Sequence, residues 1–535
     1  MKKMCWVGIL LLMVTTLSIR AADHPVFNVA DLNNALQAAV SGERILIHRG
    51  NYVGNFEVPA GVALLGEPAF MPAGGLMPML MPWDEAPIVT VDTVNGDKFP
   101  TQVRGIFFTG AKDSAVDVQG DGVGYVCGNL FEQNRGPRGG AIFTEAVGTL
   151  YIQTNYFSNN SAETDGGAVY LGGAAKVYLR RNEFMGNAAG ANGGGVCVRG
   201  KNKVFSDHDL FMSNRAVQDG GIAAILGNQQ GFILYEVTAT DNNAGRDGGG
   251  VAVDEASVLV AYGQSDTSRA GRHGGFLSAR KGVALMAGHN CSWATAGDHG
   301  GGVYSEVTQF WCQDNEVRSC RALFGAGMAI RGKPALGDDP PMISRNTFID
   351  NRAVKDGGAL FLVDLPEVEV ENNVIFMNQA GAGDGLAIAA DAEATVANNT
   401  IAHIQYVSGL PLPTATAIQI AGANNKTKVV NNIIAGHLRG VIGDANVAVL
   451  MAGNDFWLTP LPWQGVPNPA AFLNRQGVNP KFMRFDPRRM IGDFHLQANS
   501  PCRNMAIPQF APTHDRDGRR RDAQPDRGAY EFIAP

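Results

Sequence analysis

The stretch NYFSNNSAETDGGAVYLGGAAKVYLRRNEFMGNAAGANGGGVCVR, Asn155–Arg199, says the same thing twice. An asparagine precedes a phenylalanine segment, an FxxN follows, and a glycine doublet opens a run of alternating apolar residues. FSNN at Phe157 returns as FMGN at Phe184, and GGAVYL at Gly166 returns as GGGVCV at Gly193, each 27 residues later. Outward from this stretch the doublet reads GGAIF at Gly139, GGIAAI at Gly220, GGGVAV at Gly248 and GGFLSA at Gly274. It continues as GGGVYS at Gly300, GAGMAI at Gly325 and GGALFL at Gly357. Successive starts differ by 27, 27, 27, 28, 26, 26, 25 and 32 residues, and the longest step contains the loop-like GKPALGDDPP at 332–341. The second register is kept by FEQN at Phe131, FMSN at Phe211 and FIDN at Phe348. The third is the asparagine ahead of each phenylalanine segment, at Asn155, Asn182, Asn346, Asn373, Asn399 and Asn432, with Asp209 in that place in DHDLF.

A nearly constant period over nine occurrences marks a solenoid. The period is too short for helix pairs of the ~34-residue kind, and the LxxLxL spacing of leucine-rich repeats is absent. Each period holds about three short alternating runs, such as GAVYL, KVYLR and EFMGN, and alternation is the strand pattern. The expected fold class is therefore all-β. It is a single-stranded right-handed parallel β-helix, with three short strands per ~26-residue coil and equivalent positions stacked ~4.8 Å apart. The asparagines are expected to take the left-handed backbone of tight turns and to hydrogen-bond up the stack.

The ends read differently. Lys2 and Lys3 precede an apolar run from Trp6 to Ile19, 14 residues long, followed by Ala21 and Ala22. That run is shorter than the roughly 18–20 residues of a membrane span, so residues 1–22 read as a bacterial-type signal peptide. No transmembrane segment is expected after cleavage. The expected location is secreted or cell-surface, with the periplasm as the other compartment. Residues 23–42 read as an N-terminal cap with a helix, because Leu32, Ala35, Leu36 and Ala39 share one face and Asp31 stands near its start. ILIHRGNY and VALLGE open the β-helix, assigned to 43–455, and residues 456–535, rich in Pro, Trp and Arg, read as a C-terminal cap and tail.

Of 535 residues, 45% are hydrophobic and 17% charged, a composition too apolar for disorder. The net charge of −7 is thinly spread, so nucleic acid is not an expected partner, and a monomer is expected. Six cysteines follow the signal segment: Cys127, Cys197, Cys291, Cys312, Cys320 and Cys502. Cys312 and Cys320 are near enough in sequence to pair, while Cys127 and Cys197 lie nearly three coils apart, too far for a disulfide. There is no C-x-x-C, hence no cysteine zinc motif.

The pairing of FxxN with GGA(I/V/L), over about residues 130–380, resembles the chlamydial-type polymorphic outer membrane protein repeat. The opening, from Leu32 through GNY at Gly50 to LLGE at Leu64, is similar to that of pectin-lyase-like β-helix proteins. SPCRN at Ser500 with DRDGRRRDAQPDRGAYEF from Asp515 resembles the choice-of-anchor Q type ending of bacterial secreted β-helix proteins. These resemblances imply a right-handed β-helix at the cell surface or outside it, and no single activity. One departure is plain. Polymorphic outer membrane proteins end in a β-barrel, whereas the residues after Asn479 are too few, too charged and too broken by proline for one.

The glycine doublets lack the Lys-Ser/Thr ending of a phosphate loop, and DRDG at Asp515 lacks the later ligands of a calcium loop. No GxSxG or HExxH stands in the required context. Two groups remain. One is the residue ahead of each doublet, above all Asp219, Asp247, His273 and His299, which the period places in one column on four coils. These are the candidate catalytic residues, with Arg215, Arg246 and Arg272 as candidate substrate-binding cations. Turn propensity accounts for Asp before Gly but explains His273 and His299 poorly. The other group is Asp207, His208 and Asp209, the candidate metal ligands. No cofactor is expected, calcium being the one left open. Two functions follow. The favoured one is a non-catalytic binding, adhesin-like or envelope protein that recognises a polysaccharide or a cell surface. The other is a polysaccharide lyase or glycoside hydrolase acting on an acidic polymer in a groove along the solenoid.

Overall fold

The glycine doublet explains how one coil becomes the next. The computed structural model describes residues 23–67, 77–227, 231–306, 309–332, 339–403, 415–422, 425–444, 447–466, 473–486 and 489–533. In it Gly166 has φ +72°, and a Cβ built on Gly167 would stand 2.2 Å from the Gly194 carbonyl oxygen of the following coil. The first glycine is thus required by backbone conformation and the second by the closeness of the neighbouring chain. After the doublet comes a short strand, such as Val169–Leu171, then a longer one, Lys176–Arg180, then a third, Glu183–Met185. We call their stacks the doublet face, the long-strand face and the phenylalanine face.

Every pairing within the solenoid is parallel and keeps the repeat register. Val169 stands opposite Val196, Tyr151 opposite Tyr178, and Phe157 opposite Phe184. The long-strand and doublet faces comprise 17 and 16 strands among the described residues. The β-helix expected from the sequence is the fold found, and its coils wind right-handed. A fourth, two-residue ladder is added in nine coils, from Arg135–Gly136 to Arg352–Ala353, just after the FxxN asparagine.

The core is a series of columns. Phe108, Phe131, Phe157, Phe184 and Phe211 stack face to face with centroids 4.7–5.0 Å apart and no exposure. Beside them run two buried asparagine ladders. The amide and Nδ2 of Asn155 donate to Asn182 Oδ1 at 3.0 and 3.1 Å, while Asn155 Nδ2 also donates to the Val126 carbonyl at 2.8 Å. The FxxN asparagines form the second ladder, where Asn160 donates to Asn187 and Asn187 to Asn214. The expectation of a left-handed backbone at the asparagines ahead of the phenylalanine segments is not met. The positive φ belongs to the residue just before each: Thr154, Arg181, Arg345, Asn372, Asn398 and Asn431. Asparagine is needed there for its amide rather than for its backbone.

The ladders overrun the expected bounds of 43–455. Asp23–Val26 pairs with Arg44–Ile47, so the capping helix Val29–Ala38 is an excursion within the first coil, burying Leu32 and Leu36. Its cap is Asn28, whose Oδ1 accepts from the Asp31 amide at 2.9 Å, and Asp31 itself lies in the first turn. At the other end Leu461–Gln464 and Arg475–Gln476 still pair in parallel. The C-terminal residues then turn back along the outside, where the antiparallel pair Phe482–Asp486 and Ile491–Leu496 packs on Val374, Phe376, Ala402 and Ile433. The left-handed asparagines hold this return: Asn372 Nδ2 donates to the His514 carbonyl at 2.8 Å and Asn398 Nδ2 to that of Asp526 at 2.9 Å. Arg521 and Arg527 are both buried, and the Arg521 guanidinium meets Glu531 at 2.9 Å and Asn372 Oδ1 at 2.8 Å.

All six described cysteines are free thiols. The Cys312–Cys320 pairing that their closeness in sequence allowed is not found: the Cys312 thiol accepts from Asn315 Nδ2 at 3.2 Å, and the Cys320 thiol donates to the Arg318 carbonyl at 3.4 Å, with Cys291 as its sulfur neighbour. Among the described residues no helix is long and apolar enough to cross a membrane. The signal segment, 1–22, lies outside the described residues.

Candidate functional site

The column ahead of the doublets forms as the period implied. Asp247, His273, His299 and Phe324 are joined by parallel bridges from coil to coil. The Asp247 amide reaches Asp219 Oδ1 at 3.2 Å, and the His273 amide reaches Asp247 Oδ1 at 3.2 Å. Each aspartate therefore caps the backbone of the coil above it.

The two aspartates are saturated. Arg246 grips both oxygens of Asp219, with Nε to Oδ1 at 2.8 Å, and Arg272 grips Asp247 in the same way, with Nε to Oδ1 at 2.9 Å. Their side chains are only 3% and 2% exposed, against 44% and 43% for the arginines. Burial by itself would raise the Asp247 carboxyl. The hydrogen bonds and charge of Arg272, with His273 and Arg280, outweigh it and hold the group below the ordinary carboxylate range. Arg246 is raised by its Asp219 hydrogen bonds, despite burial. Bidentate pairing of this kind commits both oxygens of each carboxylate to cations of the same chain. Arg215 is elsewhere: it lies exposed in the two-residue ladder and makes no ion pair among the described residues.

Arg280 and Arg199 are the partners that sequence reading missed. Arg280 ends the strand Leu277–Arg280 and approaches Asp247 at 3.7 Å and Asp254 at 3.4 Å from the far side of the doublet face. Arg199 reaches Asp165 in the same manner, at 3.0 Å. The available signal was the Arg one or two residues after the apolar run, in VCVR and FLSAR. Between these arginines the outward residues of the doublet face are small, namely Cys197, Ala224, Ala252 and Ser278, and all are buried.

The column changes character at His273. The His273 ring stacks on Tyr304 at 4.5 Å and lies edge-on to His299 at 5.3 Å. The His299 ring stacks on Phe324 at 4.9 Å, and Phe324 on Phe361 at 5.1 Å. Desolvation lowers His273, an effect its neighbour Asp247 only partly opposes, and favours neutral imidazole.

The structure brings Asp207 and His208 together but turns Asp209 away from them. Asp207 faces outward to Arg180 at 3.0 Å, and His208 has one ring nitrogen on Asp207 at 2.5 Å and the other on Glu236 at 2.6 Å. Asp209 turns inward, fully buried in the asparagine ladder, where it accepts from Ser206 Oγ at 2.6 Å and the Asn182 amide at 2.7 Å. The strand Lys203–Asp207 ends at Asp207, and the left-handed turn at His208, with φ +56°, sends Asp209 inward while Asp207 and His208 stay outside together. Burial raises Asp209 to about 7.

A different surface runs along the long-strand face. One outward row passes in register from Tyr125 through Tyr151, Tyr178, Phe205 and Ile233, then Leu259 and Leu285, to Trp311 and Met342. Tyr125, Tyr151 and Tyr178 stack with centroids 4.6 and 5.0 Å apart, so their faces cover one another and their edges point outward. Tyr178 has a ring partner on one side only among the described residues. It borders a concavity of about 410 Å³ floored by Phe205, Ile233 and Leu259 and flanked by Lys176 and Lys203. A larger concavity, about 770 Å³, lies on the same face near the N-terminal end, between Arg44, Phe99 and Arg104.

Residues 289–456 match the family model of the right-handed β-helix region, and residues 156–172 match the repeat of chlamydial polymorphic membrane proteins. The chain thus carries both a right-handed β-helix region and a polymorphic membrane protein repeat. Neither match reaches the C-terminal residues 457–535. No curated protein matches. Among solved structures, the chain is similar to tailspike protein 3 of bacteriophage CBA120, at 12% identity and a TM-score of 0.30, over 83% of this chain and 60% of that one. It is also similar to the PL6 family alginate lyase AlyGC, at 9% identity and 0.25, over 86% and 100%, and to the pectate lyase Pel9A, at 14% and 0.18, over 94% and 90%. The chain spans 60% of the tailspike's length.

Proposed function

We propose that this chain is an exported, non-catalytic binding protein of the cell surface that engages an acidic polysaccharide on its long-strand face. The observation that carries this reading is the concavity between Lys176 and Lys203. Neither ammonium has an ion-pair partner among the described residues, and both stand over an apolar floor beside the one-sided ring of Tyr178. An apolar floor accepts the C–H face of a sugar, and free lysines accept its carboxylates. The stacked tyrosine edges and the row beyond them extend this surface over successive coils. The acids and imidazoles that would serve an enzyme lie on another face, and the aspartates there are committed to arginines.

The test combines binding with product analysis, using polygalacturonate, alginate and chondroitin sulfate as probes. The expected result is retention of at least one polymer, weakened about tenfold or more by Lys176→Ala with Lys203→Ala, with no unsaturated product and no new reducing ends. Binding that ignores both lysines would overturn the assigned surface. Product formation would establish the lyase or hydrolase reading instead.

A further inference from the structure

The column alternates sign in a way that points past ion pairing. Where the lower coil carries Asp219, the upper coil presents Arg246; where it carries Asp247, the upper presents Arg272. The next coil departs from this rule. The residue ahead of His299, in the place that Arg246 and Arg272 hold below it, is Asp298, whose amide donates to the Arg272 carbonyl at 2.8 Å. The chain therefore swaps its cation for an acid one coil after the column swaps aspartate for histidine, so the coil above His273 presents an acid where the coil above Asp247 presents Arg272.

We propose that His273, Asp298 and His299 form a binding site for a divalent transition metal of the zinc class. One donor atom from each lies within 4.8 Å of the other two, and theirs is the only such group among the described residues. The Nδ1 atoms of both histidines are shielded from solvent and lack a hydrogen bond. His299 Nδ1 stands 3.1 Å from Asp298 Oδ1, close but not aligned for one. An unpartnered imidazole nitrogen held beside a carboxylate is the arrangement that a metal completes.

The donor set selects the ion. Two imidazoles and one carboxylate suit zinc, copper, nickel or cobalt, whereas calcium and magnesium prefer oxygen donors throughout. Bonds of about 2.0–2.2 Å would draw the three donors closer together by side-chain rotation. The rings already have fixed neighbours, Tyr304 under His273 and Phe324 under His299, so little ordering remains to be done on binding. Arg272, the cation just ahead of His273 in the chain, is already paired with Asp247. Three protein donors leave at least one position for water or for an oxygen of a bound ligand.

The test uses the full exported chain without an affinity tag. Equilibrium dialysis against Zn²⁺ should find one tightly held ion per chain, and Co²⁺ in its place should give a visible d–d band. His273→Ala and Asp298→Asn should each weaken Zn²⁺ at least about tenfold, the loss expected even from groups that merely support a ligand. His208→Ala, at the acid-paired histidine on the other face, should leave binding unchanged, and Ca²⁺ at equal concentration should not compete. Asp298→Asn keeps the shape of the side chain, so it decides the matter even if His273→Ala misfolds. Stoichiometric Zn²⁺ binding that survives Asp298→Asn unchanged, or no binding by the wild-type chain, overturns the site.

Discussion

The inner asparagine ladders and the outer column ahead of the doublets climb the same coils, and they obey different rules. Inside, Asn134, Asn160, Asn187, Asn214 and Asn242 repeat one residue, because each amide must both accept from the coil before it and donate to the coil after it. A buried donor left without a partner costs about 1–3 kcal/mol, so each run of the ladder is kept whole: it ends at Asn242, Ser268, Ala294 and Cys320 take its place on the next three coils, and it resumes at Asn351. Outside, the column passes from Asp219 and Asp247 through His273 and His299 to Phe324, and from Asp247 onward parallel bridges join each member to the next. Partners adjust there, half-exposed arginine to aspartate and aromatic ring to imidazole. Repetition in a solenoid therefore reports its mechanics, and variation along a column reports where its chemistry is placed.

The largest expected effect tests the mechanics. Gly357 has φ +71°, and a Cβ there would stand 2.3 Å from the Leu360 carbonyl oxygen. Gly357→Val should cost about 3 kcal/mol or more in denaturant unfolding, from strain and clash together. Lys355→Ala, which removes only an exposed ammonium 5.0 Å from the Phe324 ring, should cost less than about 1 kcal/mol. Equal midpoints for the two variants would sink the turn assignment.

Asn187→Ala should come next, at about 2–3 kcal/mol, since it deprives Asn160 of its acceptor and the Phe157 carbonyl of its donor. If it costs no more than a surface change, the ladder does not bear on stability.

Asp209→Asn runs the other way. Asp209 sits in an asparagine position with its pKa raised to about 7, above the ordinary value near 3.8. A folded-state pKa above the unfolded one gives stability that is full below pH 4 and is lost as pH rises through about 7. The variant should therefore stabilise the chain by about 1 kcal/mol at pH 8 and flatten the fall in melting temperature between about pH 4 and 7. An unchanged pH profile would show that Asp209 does not carry the proton.

The smallest expected effects are on the outer column. His273→Ala should shift stability by less than about 0.5 kcal/mol without metal, because its Nδ1 has no bond to lose. Replacing Asp247 along with His273 and His299 should be clearly worse, since it strands the guanidinium of Arg272. If the triple variant melts with the wild type, the column is decoration. Thiol chemistry sharpens the same contrast: peptide mapping after mild oxidation should find Cys291 linked to Cys320, and a Cys312–Cys320 link would contradict the register.

The amino-acid sequence alone determined the solenoid. Its period, its doublets and its two asparagine positions each express a contact between neighbouring coils, and such contacts recur at a fixed sequence distance that can be counted. The column of Asp219, Asp247, His273 and His299 was legible for the same reason. What tertiary structure decided lies where side chains reach sideways, at no fixed distance. Arg280 comes to Asp247 from across the doublet face, the C-terminal residues come back to Asn372 and Asn398, and Asp209 turns inward while Asp207 turns out. A period records which coil a residue belongs to. It does not record which way an arginine leans, or whether a carboxylate is spent on a neighbour or left free.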